Sequence, residues 1–202
     1  MVKADELLQL IRQRRSIRRF EPLQVDPDLV QQMLEAAHWA PSAHNRQPWR
    51  LVVITDLAMK RSLASSMADR LASDLRADGL AESLIAKDTG RSRQRLTDAP
   101  VLILVCLTMA DMDSYTDDRR QELERMMAVQ SVAMAAQNLL LMAHALGLGA
   151  CWLCAPLFCP DVPVSTLRLP EAFEPQGIII VGHPAETREK TREPLESRVI
   201  FR

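Results

Sequence analysis

No aspartate, glutamate, lysine or arginine occurs from Met126 through Pro160, although charged residues are spread through the rest of the chain. A stretch this long without charge has to leave water, for a protein core, an interface or a membrane. Gln130, Ser131, Gln137, Asn138 and His144 interrupt it. Gly147 and Gly149 then end the helical part after Leu146, ahead of a strand-like Ala150-Cys151-Trp152-Leu153. This pattern describes a buried helix followed by a strand better than a membrane span. A chain of 202 residues has little interior with which to cover such a helix on all sides, so a broad apolar interface between two copies is expected.

The remaining pattern is mixed. Asp5, Leu7, Leu8 and Ile11 give residues 5–14 the spacing of a short amphipathic helix. Asp26-Pro27 is a helix start, and Leu29, Met33, Ala36 and Ala37 carry helical spacing up to Trp39. Val52–Ile54 reads as a buried strand, 57–78 as a polar amphipathic helix and 80–96 as another, highly charged one. Val101–Val105 and Gly177–Val181 are continuous apolar runs of strand length without alternation, which implies a sheet covered on both faces by helices. The last residues mix charge and proline but finish on Val199-Ile200-Phe201, as expected of an extended arm docked on a sheet edge of a partner copy rather than of a loose tail.

Composition narrows the function. No Gly/Ser-rich linker divides residues 1–202, so one domain is expected. Basic and acidic residues nearly cancel, 25 against 26, which leaves no broad cationic field for nucleic acid. The N-terminal residues lack a secretory pattern, and a cytoplasmic location is expected. Cys106, Cys151, Cys154 and Cys159 are too few for a disulfide scaffold. Cys151 and Cys154 have the spacing of a redox dithiol, but they sit at a strand end and loop rather than opening a helix. The four histidines form no compact ligand set with the cysteines, so no metal is expected.

Two segments carry candidate chemistry. In RQRRSIRRF, Arg14, Arg15, Ser16 and Arg18 place three guanidiniums and a hydroxyl within five residues, a set suited to phosphate oxygens. A solvated basic helix end is the plainer reading of the same run. The second segment, Ala40-Pro41-Ser42-Ala43-His44-Asn45-Arg46-Gln47-Pro48-Trp49, is a proline-bracketed loop rich in side-chain amides. Such amides can meet the donor and acceptor edge of a heteroaromatic ring.

Together, RRSIRRF and APSAHNRQPW resemble the nitroreductase family of FMN-dependent flavoproteins. The resemblance implies an α+β fold with a central mixed, mostly antiparallel sheet covered by helices, in a homodimer that exchanges C-terminal arms. It places Arg14, Ser16 and Arg18 on the FMN phosphate with Arg15 as their backbone neighbour. Pro41, Ser42, Ala43, Asn45 and Gln47 fall on a loop reaching the flavin held by the other subunit. Ala43 stands where relatives often have a second serine. The resemblance continues at Ser92 and Arg95, on the flavin pyrimidine edge, at Cys151, Trp152 and Leu153, along the strand beside the cofactor, and at Lys190 and Arg192, a second phosphate contact.

FMN carries hydride chemistry itself, so no catalytic side chain is assigned. The resemblance implies alternating turnover, with NADH or NADPH leaving before a flat conjugated acceptor binds. A cation at Arg95 would stabilise negative charge on the reduced ring. Gly147–Trp152, AHWAPSAHNRQPWR and REKTREPLESRV look most like the reductase domains of deazaflavin-coenzyme biosynthesis, which reduce a dehydro precursor. Arg46 and Arg50 are then candidates for an anionic tail on that substrate. A broad nitro or quinone reductase, a flavin-fragmenting or dehalogenating relative with a lid at 80–95 or 109–120, a non-enzymatic FMN carrier and thiol redox at Cys151 and Cys154 stay open as alternatives. Trp152 and His44 each admit a substrate contact or a purely structural place.

Overall fold

The computed structural model describes residues 3–202. Helix α1 (Ala4–Gln13) buries none of its residues, and its apolar stripe of Leu7, Leu8 and Ile11 is about half exposed. Helix α2 (Pro27–His38) starts as expected: the Asp26 carboxylate accepts the Asp28 N–H at 2.9 Å, and Val30, Met33 and Ala37 turn inward. Strand β1 (Trp49–Ile54) follows, then α3 (Leu57–Ala77), capped by Asp56, and α4 (Glu82–Asp98). Strand β2 (Val101–Leu107) leads to the long α5 (Asp118–Ala145), then to β3 (Gly149–Leu153), α6 (Asp161–Leu167) and β4 (Glu174–Gly182). The three expected strands all run longer than predicted, because ladder pairing continues into flanking residues both apolar, as at Cys106 and Leu107, and polar, as at Arg50 and Glu174.

The strands form one sheet in the order β1-β2-β4-β3, with every ladder antiparallel. The one parallel contact among the described residues is the isolated bridge between Ser16 and Ala150, which appends the chain after α1 to the β3 edge. Strand alternation divides the core into two layers. Ile103, Val105, Ile179 and Val181 pack under α2 and α5, while Leu102, Leu104, Ile178 and Ile180 pack under α3, α4 and α6. Both central strands are therefore buried on both faces, which is why their sequences do not alternate.

Helix α5 lies across the sheet and buries Val132, Ala135, Ala136, Leu139 and Ala143 in the first layer. Its mean hydropathy reaches 1.4 over an 18-residue window, enough by composition alone to cross a membrane, yet it is the helix that covers this sheet. Leu123, Met126 and Met134 stay 39–49% exposed on it. It ends as expected: Gly147 takes φ 76°, and the Leu148 N–H returns to the Ala143 carbonyl at 2.8 Å. Gly149 then lets the chain after α1 come close, since a β-carbon there would lie 2.8 Å from Ile17 Cγ2.

One expectation needs revision. Residues 80–95 are not a loose lid: α4 packs along α3 and buries Ile85, Thr89 and Leu96. The C-terminal arm does not dock on this protomer's own sheet. Ile200 and Phe201 are 80% and 94% exposed, and the segment's local order is a single 3-10 turn at Leu195–Ser197.

Candidate functional site

The basic element begins where α1 stops. From Arg14 the chain turns extended, and the Ile17 N–H donates to the Ala150 carbonyl at 3.0 Å. That single bridge fixes the register of the whole run. Ser16 is half-buried with its hydroxyl in hydrogen-bonding reach of the Cys151 thiol, while Arg14, Arg18 and Arg95 gather around the same thiol. The Arg18 N–H donates to Glu186 Oε1 at 2.7 Å, which pins the start of the C-terminal arm beside the element.

The guanidiniums crowd one another. Burial holds the Arg14 guanidinium below its ordinary pKa, and the charges of Arg192 and Arg15 add to the effect. Arg95 is lowered too, by burial first and then by Arg91 and Arg18. Among the described residues Arg14, Arg15, Arg18, Arg19 and Arg95 make no ion pair, and the buried Arg15 Nε has no hydrogen-bond partner. Part-buried cations that repel one another would be relieved by an anion; the nearest carboxylate in the adjoining cavity wall, Asp98, makes no ion pair with them. Burial, then Arg14 and Arg15, also depress His144, which lines an adjoining cavity with Arg15.

Two cavities open from this cluster. One of about 280 Å³ is bounded by Arg18, Ser92, Arg95, Cys154 and the strand segment Trp152–Leu153. The other, about 420 Å³, is walled by Arg18, Arg19, Phe20, Arg91, Arg95 and Arg188. Ser92 and Arg95 are thus brought to Arg18 by α4, more than seventy residues along the chain. Arg192 comes near Arg14, whereas Lys190 stays exposed on the arm. Arg19, Arg91 and Arg188 were not singled out from the sequence, because their convergence depends on how α4 and the arm pack.

The strand expected beside the cofactor divides its residues by face. Cys151 and Leu153 belong to the layer under α3 and α4, and Trp152 to the layer under α5. The Trp152 indole is half-buried, packed over Gly177 with its Nε1 donating to Cys154 Sγ at 3.0 Å, and the same residue bounds the 280 Å³ cavity. The strand's free peptide edge remains available. Ala150 turns its carbonyl away from β4 toward Ile17, and Trp152, two residues on, turns its peptide groups the same way. Cys151 is buried with its thiol pushed up by that burial, against the opposing pull of Arg18, and Cys154 is exposed; both are free thiols.

The amide loop lies elsewhere. His44, Asn45 and Gln47 all adopt left-handed φ of 50–55°, conformations that non-glycine residues enter at a cost of about 1–2 kcal/mol each. The Ser42 hydroxyl accepts the Gln47 N–H at 3.0 Å, and the Ala43 N–H donates to Ser131 Oγ on α5 at 3.2 Å. Ser42 and Ala43 therefore hold the loop's shape, while Pro41, Asn45 and Gln47 line a separate cavity of about 410 Å³ beside Trp39. That indole is 78% exposed. Arg46 and Arg50 are ion-paired to Asp113 and Asp111, so neither is a free cation for an anionic tail.

The loop precedes β1 and the arginine element flanks β3, at opposite edges of the sheet. Three strand spacings, about 14 Å, separate those edges. Within one protomer the two halves of the expected site do not meet.

The fold is that of nitroreductase-like proteins. The Bacillus cereus nitroreductase-like family protein superposes with a TM-score of 0.75 at 22% identity, covering 100% of this chain and 98% of that one. The chain belongs to the nitroreductase family, whose sequence profile matches residues 11–183. A provisionally assigned nitroreductase of Desulfovibrio desulfuricans, solved in complex with FMN, is 30% identical with a TM-score of 0.73 and covers 100% of this chain and 98% of its own. A protein of Methanothermobacter thermautotrophicus, provisionally named NADH dehydrogenase/NAD(P)H nitroreductase, is 29% identical over 92% of this chain and 81% of its own length.

Proposed function

We propose that this chain is an FMN-dependent NAD(P)H oxidoreductase, active as a homodimer with two sites at the interface. The observation that carries it is the uncompensated guanidinium cluster around Ser16, to which a phosphate would bring the missing negative charge. Bound FMN supplies the redox chemistry, taking hydride from a reduced nicotinamide and giving it to the acceptor. The rest falls to the protein. Arg14, Ser16 and Arg18, with Lys190 and Arg192 from the arm, hold the phosphate. Ser92 and Arg95 meet the polar edge of the ring, where a cation favours added negative charge. Pro41, Asn45 and Gln47 of a second copy close the other side, on a loop shaped by Ser42 and Ala43.

A dimer is supported by the sheet geometry, which keeps the loop and the arginines apart in one protomer. It is supported as well by what one protomer leaves uncovered: the α1 stripe, Met126 and Met134 on α5, Trp39, and the Ile200-Phe201 end. A cytoplasmic setting suits the four free cysteines.

For the acceptor, the finer reading is a dehydro precursor of the deazaflavin coenzyme. It rests on the likeness at Gly147–Trp152 and Glu189–Arg198. Arg46 and Arg50 no longer support it, being ion-paired; Arg91 and Arg188 beside the 420 Å³ cavity are paired as well, with Asp88 and Glu186, while Arg19 there makes no ion pair among the described residues. The test is anaerobic reduction of the holoenzyme by NADH or NADPH, then kcat/KM for a dehydro precursor and for a nitroaromatic. Tail recognition predicts a preference of at least about 2–3 kcal/mol for the precursor. Equal values leave a broad reductase, and a flavin that neither nicotinamide bleaches makes the chain a carrier.

A further inference from the structure

Glu124 stands in the second turn of α5 and is fully buried. Its Oε1 accepts the Asp113 N–H at 3.2 Å, and its Oε2 has no hydrogen-bond partner among the described residues. Buried carboxylate oxygens are ordinarily satisfied by donors or by a cation. No arginine or lysine pairs with Glu124 among those residues, since the nearby Arg46 is taken by Asp113. Around the orphaned oxygen the fold brings two further donors from separate parts of the chain: the His44 imidazole from the left-handed loop and the Asp113 carboxylate from the segment after β2. One ligand atom from each of His44, Asp113 and Glu124 lies within 4.8 Å of the others.

We propose that His44, Asp113 and Glu124 bind one divalent transition-metal ion that clasps the amide loop to α5. The donor set indicates the class of ion. One imidazole with two carboxylates suits Mn²⁺, Fe²⁺ or Zn²⁺ better than Ca²⁺ or Mg²⁺, which prefer all-oxygen shells, and it lacks the thiolate of soft-metal sites. Three protein ligands leave positions for water. Arg46, bound to Asp113, is the outer partner that orients this ligand and balances charge.

The position gives the ion a function. The loop is already tied to α5 where the Ala43 N–H meets Ser131, two helical turns beyond Glu124 on the same helix face. A metal at His44 is a second tie, through the side chain of the next residue, and it holds the strained backbone that presents Asn45 and Gln47. Sequence inspection missed the site because it set the histidines against the cysteines; His44, Asp113 and Glu124 have no motif spacing.

The experiment is a Mn²⁺ titration of chelator-dialysed protein in its flavin-loaded state, following loss of the free-ion electron paramagnetic resonance signal. Mn²⁺ avoids the exposed Cys154 thiol. One ion per chain is expected, displaced by Zn²⁺, with a histidine nitrogen coupling in the pulsed spectrum. His44→Ala, at an exposed position that spares the core, removes that coupling, and both it and Glu124→Gln weaken binding at least about tenfold. Absence of stoichiometric Mn²⁺ and Zn²⁺ binding, or binding unchanged in the two folded variants, overturns the proposal and leaves Glu124 a structural core residue.

Discussion

The indole of Trp152 on β3 lies over the α-carbon of Gly177 on the neighbouring β4, so closely that a β-carbon at Gly177 would fall 2.3 Å from Trp152 Cζ2. The absence of a side chain at Gly177 is what seats the indole against the α5 layer. Gly177→Ala should cost about 1–3 kcal/mol, the usual penalty of overpacking a core. Urea unfolding measures it. In a Trp152→Leu background the same alanine should cost much less, since the clash partner is gone; equal penalties in the two backgrounds would disprove the contact.

Arg14→Ala with Arg18→Ala should weaken FMN binding by about 3–6 kcal/mol, on the order of a hundredfold or more in Kd, because charge-assisted bonds contribute about 1.5–3 kcal/mol each. Riboflavin, which lacks the phosphate, should bind wild type and variant nearly alike. If wild type binds riboflavin as tightly as FMN, the arginines are a solvated face.

Light scattering should give twice the chain mass at low micromolar concentration. Removing Val199–Arg202, whose apolar residues have no cover in the protomer, should shift the protein toward monomer and loosen its flavin. A truncated chain that stays dimeric and fully flavin-loaded would show that the arm has no part in assembly.

Acid should destabilise the flavin-free protein through His144. Burial and the charges of Arg14 and Arg15 hold its folded pKa below the ordinary 6.5. The unfolded chain therefore binds the proton first, and stability present above that value is lost as pH falls through the folded pKa. His144→Gln should flatten the fall in urea midpoint between about pH 7.5 and about pH 5.5. A nuclear magnetic resonance titration placing the imidazole at its ordinary pKa would remove the effect.

Cys151→Ser together with Cys154→Ser should leave nicotinamide turnover close to wild type. One thiol is buried with its pKa raised and the other lies beyond the strand end, so the pair is not arranged as a redox dithiol. Loss of turnover with flavin still bound would restore the thiol reading.

Much of the architecture is local chemistry and was open to inspection in the sequence. Asp26 and Pro27 start α2 because a carboxylate and a missing N–H suit a helix N-terminus. Val101–Val105 and Gly177–Val181 lack alternation because their strands have no solvent face. RRSIRRF and APSAHNRQPW stood out because they hold more cations and amides than turns require. What the sequence could not supply is which residue lies opposite which. The indole of Trp152 packs over Gly177 toward the α5 layer through the register of β3 on β4, and Arg46 and Arg50 lose their freedom to Asp113 and Asp111 across some sixty residues of chain. Glu124 stands in a highly charged stretch near the start of α5 and is nevertheless buried, because the segment after β2 folds over it. Periodicity specifies the face a residue takes on its own element. Its partner, its exposure and the charge around it are set by long-range packing, and only the tertiary structure decides them.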